Sequence, residues 1–407
     1  MPATPCRVCS GPVREFFDFG EQPLSDAFPL PDQLDGEFSF RLAIGCCESC
    51  SMVQLMEEVP RDRMFHEDYP YLSNGSAVMR DHFRAVASRF LRDELAGPDP
   101  FIVELGCNDG TMLRTVADAG VRHLGVEPSG GVADLAAARG VRVDKRFFEA
   151  ETARDILAAD GSADVIYAAN TLCHIPYIDS ILRGVDELLA PSGVFVFEDP
   201  YFAEIVRRTS FDQIYDEHFF FFTARSVRAM AARHGLELVD VEELPVHGGE
   251  VRYTLARTGA REISPAVGAL IERETRSGLT DPTTLDAFAA RVNQIRTDLL
   301  AFLRAEKAAG RPVVGYGATA KSATVLNFCG IGPDLISHVF DTTPAKQGRL
   351  TPGSHIPVRP AEEFADPYPA HAVLFAWNHA EEILAKETAF REAGGRWVLY
   401  VPELHVR

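Results

Sequence analysis

Phe101-Ile102-Val103-Glu104-Leu105-Gly106-Cys107-Asn108-Asp109-Gly110 is the stretch on which the fold turns. Its first five residues read as a buried strand, glycines end that strand in a tight turn, and Met112 to Ala119 takes up helical spacing. Such a turn lets a ligand approach the backbone where a helix begins and N–H groups lack partners. Outward from it the texture repeats, with strands His123 to Glu127, Asp164 to Ala168 and Gly193 to Glu198 separated by helices Gly131 to Arg139 and Tyr177 to Leu189. Alternation of this kind predicts a parallel sheet covered by helices. Upstream, Ala77 to Leu95 is spaced as a helix; downstream, 223–235 reads as a helix and Leu236 to Val241 and Val251 to Leu255 as closing strands. A polar helical bridge spans about 262 to 310, and Pro312-Val313-Val314-Gly315-Tyr316-Gly317-Ala318 then opens a second strand, turn and helix pattern, with strands near 336–340, 372–376 and 397–401.

The length of 407 residues suggests two to three domains. The boundaries expected from the texture are 1–75 for a small Pro-, Phe- and Cys-rich module, 76–258 for the first α/β domain and 259–407 for a second, Rossmann-like one. A net charge of −19 argues against broad binding to nucleic acid or anionic membrane. No apolar run approaches the length of a membrane span. The first twenty residues lack a basic segment followed by an apolar one, which predicts a cytoplasmic address. Nothing in the sequence sets an oligomeric state, and a monomer is compatible with it.

Cys6-Arg7-Val8-Cys9 and Cys47-Glu48-Ser49-Cys50 are two CxxC knuckles in a chain without a secretory signal, so the four thiolates point to one tetrahedral, structural zinc ion. The 37 residues between Cys9 and Cys47 exceed the usual ribbon spacing of about 15 to 20, so the loop must fold as its own small sheet, and Cys46 could stand in for Cys47. Glu104, Gly106, Asn108 and Gly110 in the glycine turn, with Glu127 at the end of the next strand and Asn170 after the one beyond, form the pattern of class I S-adenosylmethionine (SAM) methyltransferases. Glu127 is placed to accept both ribose hydroxyls. His174, in Asn170-Thr171-Leu172-Cys173-His174-Ile175, leaves the carboxyl end of a strand and points toward the methyl donor. Asp212-Gln213-Ile214-Tyr215-Asp216-Glu217-His218 sets a phenol, a carboxylate and an imidazole just before four phenylalanines that could exclude water. Tyr69 is a further phenol, at the junction of the first two domains. Lys321, with N–H groups of Gly315 and Gly317, is placed to meet a pyrophosphate.

Taken in order, the two CxxC pairs, ELGCNDG, NTLCHI, YDEHFF, PVHGGEVR and GYGATAK resemble the sugar C-3'-methyltransferases of bacterial deoxysugar biosynthesis, over essentially the whole chain. The resemblance implies an α/β protein with an N-terminal zinc-binding module, a SAM-dependent methyltransferase domain and a C-terminal Rossmann-like domain, acting on a dTDP-linked 4-keto deoxysugar for antibiotic decoration. It implies His218 as the base, with Tyr69, His174, Tyr215 and Glu217 lining the site, and leaves open whether C3' bears an amine or a hydroxyl. Chemistry sets the roles: a ring carbon becomes nucleophilic only as an enolate, which needs a base and a donor to the oxygen. On this reading Glu217 supports the imidazolium and Tyr69, Tyr215 or His174 donates to the oxygen. An O- or N-methyltransferase, or a non-catalytic zinc protein that binds SAM, are the alternatives.

Overall fold

The computed structural model describes residues 4–65 and 72–407. Its centre is a seven-stranded sheet in the order Leu236–Leu244, Glu250–Arg257, Leu189–Pro200, Ala163–Ala169, Phe101–Leu105, Arg122–Val126, Val143–Asp144. The last five are mutually parallel, and the first two are added antiparallel at one edge. Burial on both faces explains the near-continuous apolar runs: every residue of Phe101–Leu105 is buried, Glu104 included. Because parallel strands all end on one side, Leu105, Val126, Ala169 and Pro200 bring their following loops to a single edge.

The second parallel sheet runs Val358–Pro360, Val339–Asp341, Val313–Tyr316, His371–Leu374, Arg396–Leu399, with His405–Val406 antiparallel at its end. The strand expected from 336 begins only at Val339. The helical bridge resolves into Pro265–Arg276 and the long helix Pro282–Ala308. Glu274 on the first of these accepts from Tyr201 Oη (3.0 Å) and from the backbone N–H groups of Ala224 (2.7 Å) and Arg225 (3.1 Å), so residues just past 258 are tied to the central sheet.

The N-terminal module contains a hairpin of Val13–Pro23 and Ser39–Cys47 followed by Val53–Leu55. Its fourth strand comes from elsewhere: Phe220–Phe221 pairs with it antiparallel, Val53 opposite Phe221 and Gln54 opposite Phe220. The four phenylalanines are therefore a seam between two modules. The module also clasps the C-terminal sheet domain, with Leu350 N–H donating to Pro29 O (2.9 Å) and Lys346 Nζ to Asp26 Oδ1 (2.9 Å).

All residues from 209 to 224 are buried, although the segment contains Asp212, Asp216, Glu217 and His218. Asp212 Oδ2 accepts from Trp377 Nε1 (2.6 Å) and Tyr400 Oη (2.7 Å), both in the C-terminal domain. Thr324 Oγ1 donates to Ile214 O (2.8 Å), and Asp216 Oδ1 accepts from Ser25 N–H of the zinc module (3.0 Å). Asp212→Ala strips two buried donors of their acceptor, at roughly 1–3 kcal/mol each. It is expected to lower the thermal unfolding midpoint markedly, while Asp212→Asn, which keeps an acceptor oxygen, loses much less; tryptophan fluorescence during heating reads both.

Candidate active site

The zinc knuckles fold as the spacing requires. Cys6, Cys9, Cys47 and Cys50 bring their sulfurs within 4.8 Å of one another, with Cys6 to Cys50 at 3.6 Å and Cys9 to Cys47 at 3.4 Å. Tetrahedral zinc with bonds of about 2.3 Å asks for sulfurs about 3.8 Å apart, so the donor set fits the ion and closes its shell. Left-handed Ser10 (φ 60°) and Ser51 (φ 63°) follow the knuckles, and the N–H of each returns to the carbonyl of Cys6 or Cys47. Cys46 is outside the group. Its neighbour on the strand faces the other way, and burial, followed by the charge of Cys47, pushes its thiol up to about 12.

The donor side lies where three parallel strands end. Gly106 has φ 66°, and a Cβ there would lie 2.4 Å from Thr171 Oγ1, so only glycine fits between the two loops. Gly110 (φ 73°) is the N-cap of helix Thr111–Asp118. Glu127 accepts from Asn108 N–H (3.0 Å) and Ser129 N–H (2.9 Å), one bond on each oxygen. A carboxylate has about four acceptor positions, so two remain for ligand hydroxyls while the backbone bonds fix its direction. Glu104 Oε2 is buried with no hydrogen-bond partner, and burial, with the charges of Asp109 and Glu127, holds its pKa well above the usual range. Asn170 (φ 48°) closes the row. The close backbone approach and the unused acceptors fit the nucleoside and amino-acid portions of SAM.

The acceptor side is a stack of rings. His174 lies on His218, centroids 5.2 Å apart and 27° between planes, and also stacks against Phe65 at 5.6 Å. His218 Nδ1 is 2.9 Å from the Gln213 carbonyl, which can only accept, so Nδ1 carries the proton. Nε2 is then the basic nitrogen, and it accepts from Tyr215 Oη at 2.8 Å. Burial holds the His218 pKa well below the ordinary histidine value, helped by the charges of His174, Lys321 and His247. His174 is lowered to about 3 by burial alone, and burial holds Tyr215 well above 10, so the phenol stays a donor.

The expected support of His218 by Glu217 is corrected here: the backbone carbonyl of Gln213 orients the ring. Glu217 is buried in the same segment, and its charge acts on Tyr215 and Cys173. Tyr69 lies outside the described residues. Cys173, His174 and His218 also group their ligand atoms within 4.8 Å. Both His218 nitrogens are already engaged, and burial, then the charge of Asp199, holds the Cys173 thiol protonated, so the set reads as an acid-base network.

Three residues that sequence reasoning passed over belong to the chamber. Asp199 and Glu250 sit where Leu189–Pro200 ends and Glu250–Arg257 begins and are wholly buried; Cys173 and Thr171 approach Asp199 and Asn170 approaches Glu250, but none makes a hydrogen bond of full geometry. Burial pushes Asp199 up to about 8 and Glu250 well above its usual value. The signal for Glu250 was the preceding His247-Gly248-Gly249, all three at positive φ. Trp377 is the third: a Cβ on Gly248 would meet its Cη2 at 2.9 Å. Lys321 reaches the same place, its Nζ 5.6 Å from the Trp377 ring centre. The pyrophosphate cradle expected around it is not formed by the glycines. Gly315 N–H donates to His338 O (2.9 Å) and Gly317 N–H to Phe340 O (2.8 Å), so the sheet has consumed both.

A methyl-donor edge on a doubly covered parallel sheet, a closed zinc module and a second parallel-sheet domain facing a buried imidazole together define a SAM-dependent methyltransferase. Three family models match in chain order: "Putative zinc binding domain" over 6–65, "Methyltransferase domain" over 79–241 and "C-methyltransferase C-terminal domain" over 245–402. The chain is 34% identical to C-methyltransferase NovU of Streptomyces niveus, the alignment covering 100% of this chain and 97% of the relative. It belongs to that family of zinc-containing C-methyltransferases. A Caenorhabditis elegans sterol 4-C-methyltransferase is 23% identical over 120 residues, 29% of this chain and 34% of its own. The solved structure of a Synechocystis magnesium protoporphyrin IX methyltransferase with bound SAM overlaps at TM-score 0.33 and 11% identity, covering 44% of this chain and 79% of that one, too slight to add to the assignment. Among the described residues no helix is long and apolar enough to cross a membrane.

Purified protein is expected to hold one zinc ion per chain by elemental analysis. Cys9→Ser should lose that ion and lower the unfolding midpoint, because the ion joins the first knuckle to the end of the hairpin at Cys47.

Proposed function

We propose that this C-methyltransferase methylates C3' of a dTDP-linked 4-keto deoxysugar, in the decoration of an antibiotic. The observation that carries the reading is His218: a buried neutral imidazole with Nδ1–H fixed on Gln213 O and a basic Nε2 beside a phenol that stays protonated. Methyl transfer to an oxygen or amine needs no carbon acid, whereas a ketone's neighbouring carbon needs such a base and a donor close to it. The full-length likeness to a C-methyltransferase supports the same reading.

Glu104, Gly106, Asn108, Gly110, Glu127 and Asn170 would hold SAM, which when bound supplies an electrophilic methyl group. The chain's own work is to place the sugar and move a proton. His218 Nε2 takes the C3' proton, the bond pair forms C3'=C4', and the carbonyl pair moves onto O4'. Gln213 O stabilises the imidazolium through Nδ1–H. Tyr215, released from Nε2 as the substrate enters, is free to donate to the sugar, with Tyr69, His174 and Glu217 lining the site. The test is mass spectrometry on a panel of dTDP-4-keto deoxysugars with SAM, where one added methyl is expected; methylation only of hydroxyl or amine acceptors lacking a ketone would replace this reading with an O- or N-methyltransferase.

His218→Asn should fold and bind both ligands yet lose at least ~10²-fold in methyl transfer and in C3' hydrogen exchange with solvent, since Asn cannot take a proton near neutral pH. Because the His218 pKa is lowered from 6.5, the basic form persists as pH falls through 6.5 and is lost only further down. The kcat/KM profile is therefore expected to stay level from pH 7 to about 6, where an unperturbed histidine would already be mostly protonated.

A further inference from the structure

Lys321 begins the helix Ala320–Cys329 as its second residue, and that helix packs on the Phe211–Gln213 turn that carries the orienting carbonyl of His218. Its ammonium lies over Trp377, whose Nε1 is anchored on Asp212. Trp377 in turn closes on Gly248, where an added Cβ would also lie 3.2 Å from Gln213 Nε2. Lys321, Trp377, Gly248, Gln213 and His218 thus form one continuous wall from the C-terminal domain to the base.

The chemistry around the ammonium is wrong for a diphosphate. Asp212 and Glu250 are the carboxyl groups nearest in charge to it, and burial raises the pKa of both. Four of the neighbouring N–H groups are already used: Gly315 and Gly317 in the sheet, Ala318 on Asp341 Oδ2 at 2.6 Å, and Ser322 on Thr319. Asp212 and Glu250, whose charges reach the ammonium, have carboxyl oxygens buried without a full hydrogen-bond partner, as do His174 Nε2, Gln213 Oε1 and the oxygens of Asp199. Buried polar atoms of this kind are normally paired, so a polar, neutral, multiply hydroxylated ligand fits there. Among the described residues no carboxylate lies within 4.0 Å of Lys321 Nζ, so its charge is not already committed, whereas Tyr215 is spent on Nε2 until substrate arrives.

We propose that Lys321 contacts the sugar as a catalytic residue, donating from Nζ to the substrate's C4' oxygen and carrying the negative charge that forms there. The inference rests on the keto-sugar reading above and adds a residue to it. When the C3'–H pair becomes the C3'=C4' bond, the carbonyl pair arrives on O4' opposite the ammonium and the proton resides on His218. When the C3'–CH3 bond forms, that pair returns to C4'=O as the donor's S–CH3 pair goes to sulfur. Lys321 keeps all its protons throughout. A donor aimed at a developing oxyanion commonly carries 10²- to 10³-fold in rate.

The experiment compares wild type, Lys321→Met and Lys321→Arg on a dTDP-4-keto-6-deoxyhexose: C3' deuterium exchange without SAM, methyl transfer with it, the Kd of dTDP by calorimetry, and the unfolding midpoint. Expected for Lys321→Met is a loss of about 10²-fold or more in exchange and kcat, a dTDP Kd within about twofold of wild type, and a midpoint unchanged or higher, because an uncommitted ammonium is removed. Lys321→Arg should restore part of the loss. A dTDP Kd raised tenfold or more with exchange at saturation intact would return Lys321 to the diphosphate and overturn the proposal; unchanged exchange and transfer would overturn it too. If wild type itself neither exchanges nor methylates the keto sugar, the substrate reading falls and takes this assignment with it, a result distinct from an active wild type with an equally active variant.

Discussion

One buried stretch of polar chain, residues 209 to 224, holds the molecule together and holds its chemistry in place. Its carboxyl groups join separate parts of the protein: Asp212 binds the C-terminal domain through Trp377 and Tyr400, and Asp216 binds the zinc module through Ser25. Its last residues become a strand of the zinc module's sheet. His218 lies between these ties and inherits their rigidity. Burying so many polar groups is costly unless each finds a partner, so the segment can exist only where three domains supply those partners at once. The site is consequently a property of the assembled chain and of no single domain.

The chamber beside it shows the opposite economy. Asp199, Glu250, His174 and His247 are desolvated, and burial pushes each toward its neutral form: Asp199 up to about 8, Glu250 up, His174 and His247 down to about 3. An unsatisfied buried polar atom costs roughly 1–3 kcal/mol, a penalty that serves no structural purpose and that a polyhydroxylated ligand would relieve.

The central fold was legible because its signals are local. Phe101–Leu105 is apolar since both its faces are covered, and the CxxC knuckles need only tight turns to bring their thiols together. Glu104, Gly106, Gly110 and Glu127 were found for the same reason: they sit at strand ends whose order follows from alternation. What escaped depends on distant pairing. Phe220–Phe221 looked like core or a water barrier, and nothing in its own neighbourhood names Val53 and Gln54 as its partners. The N–H groups of Gly315 and Gly317 looked available because a sequence does not show which strands will flank them. The partner of His218 Nδ1 was sought among side chains, yet a backbone carbonyl took the place assigned to Glu217.

The zinc ion belongs to this logic although its shell is closed to substrate. The module's sheet is small and its long loop needs a staple to fold at all. Once stapled, it presents Val53–Leu55 to Phe220–Phe221 and Ser25 N–H to Asp216, on either side of His218, and at its other face it grips the C-terminal domain that brings Lys321 and Trp377. A metal whose closed shell admits no substrate thereby sets the positions of His218 and the groups around it. The same positioning could be supported by a larger apolar core in that place. A four-thiolate staple achieves it in about sixty residues, and its covalent-like geometry transmits less slack to His218 than a loop packed by hydrophobic contact alone.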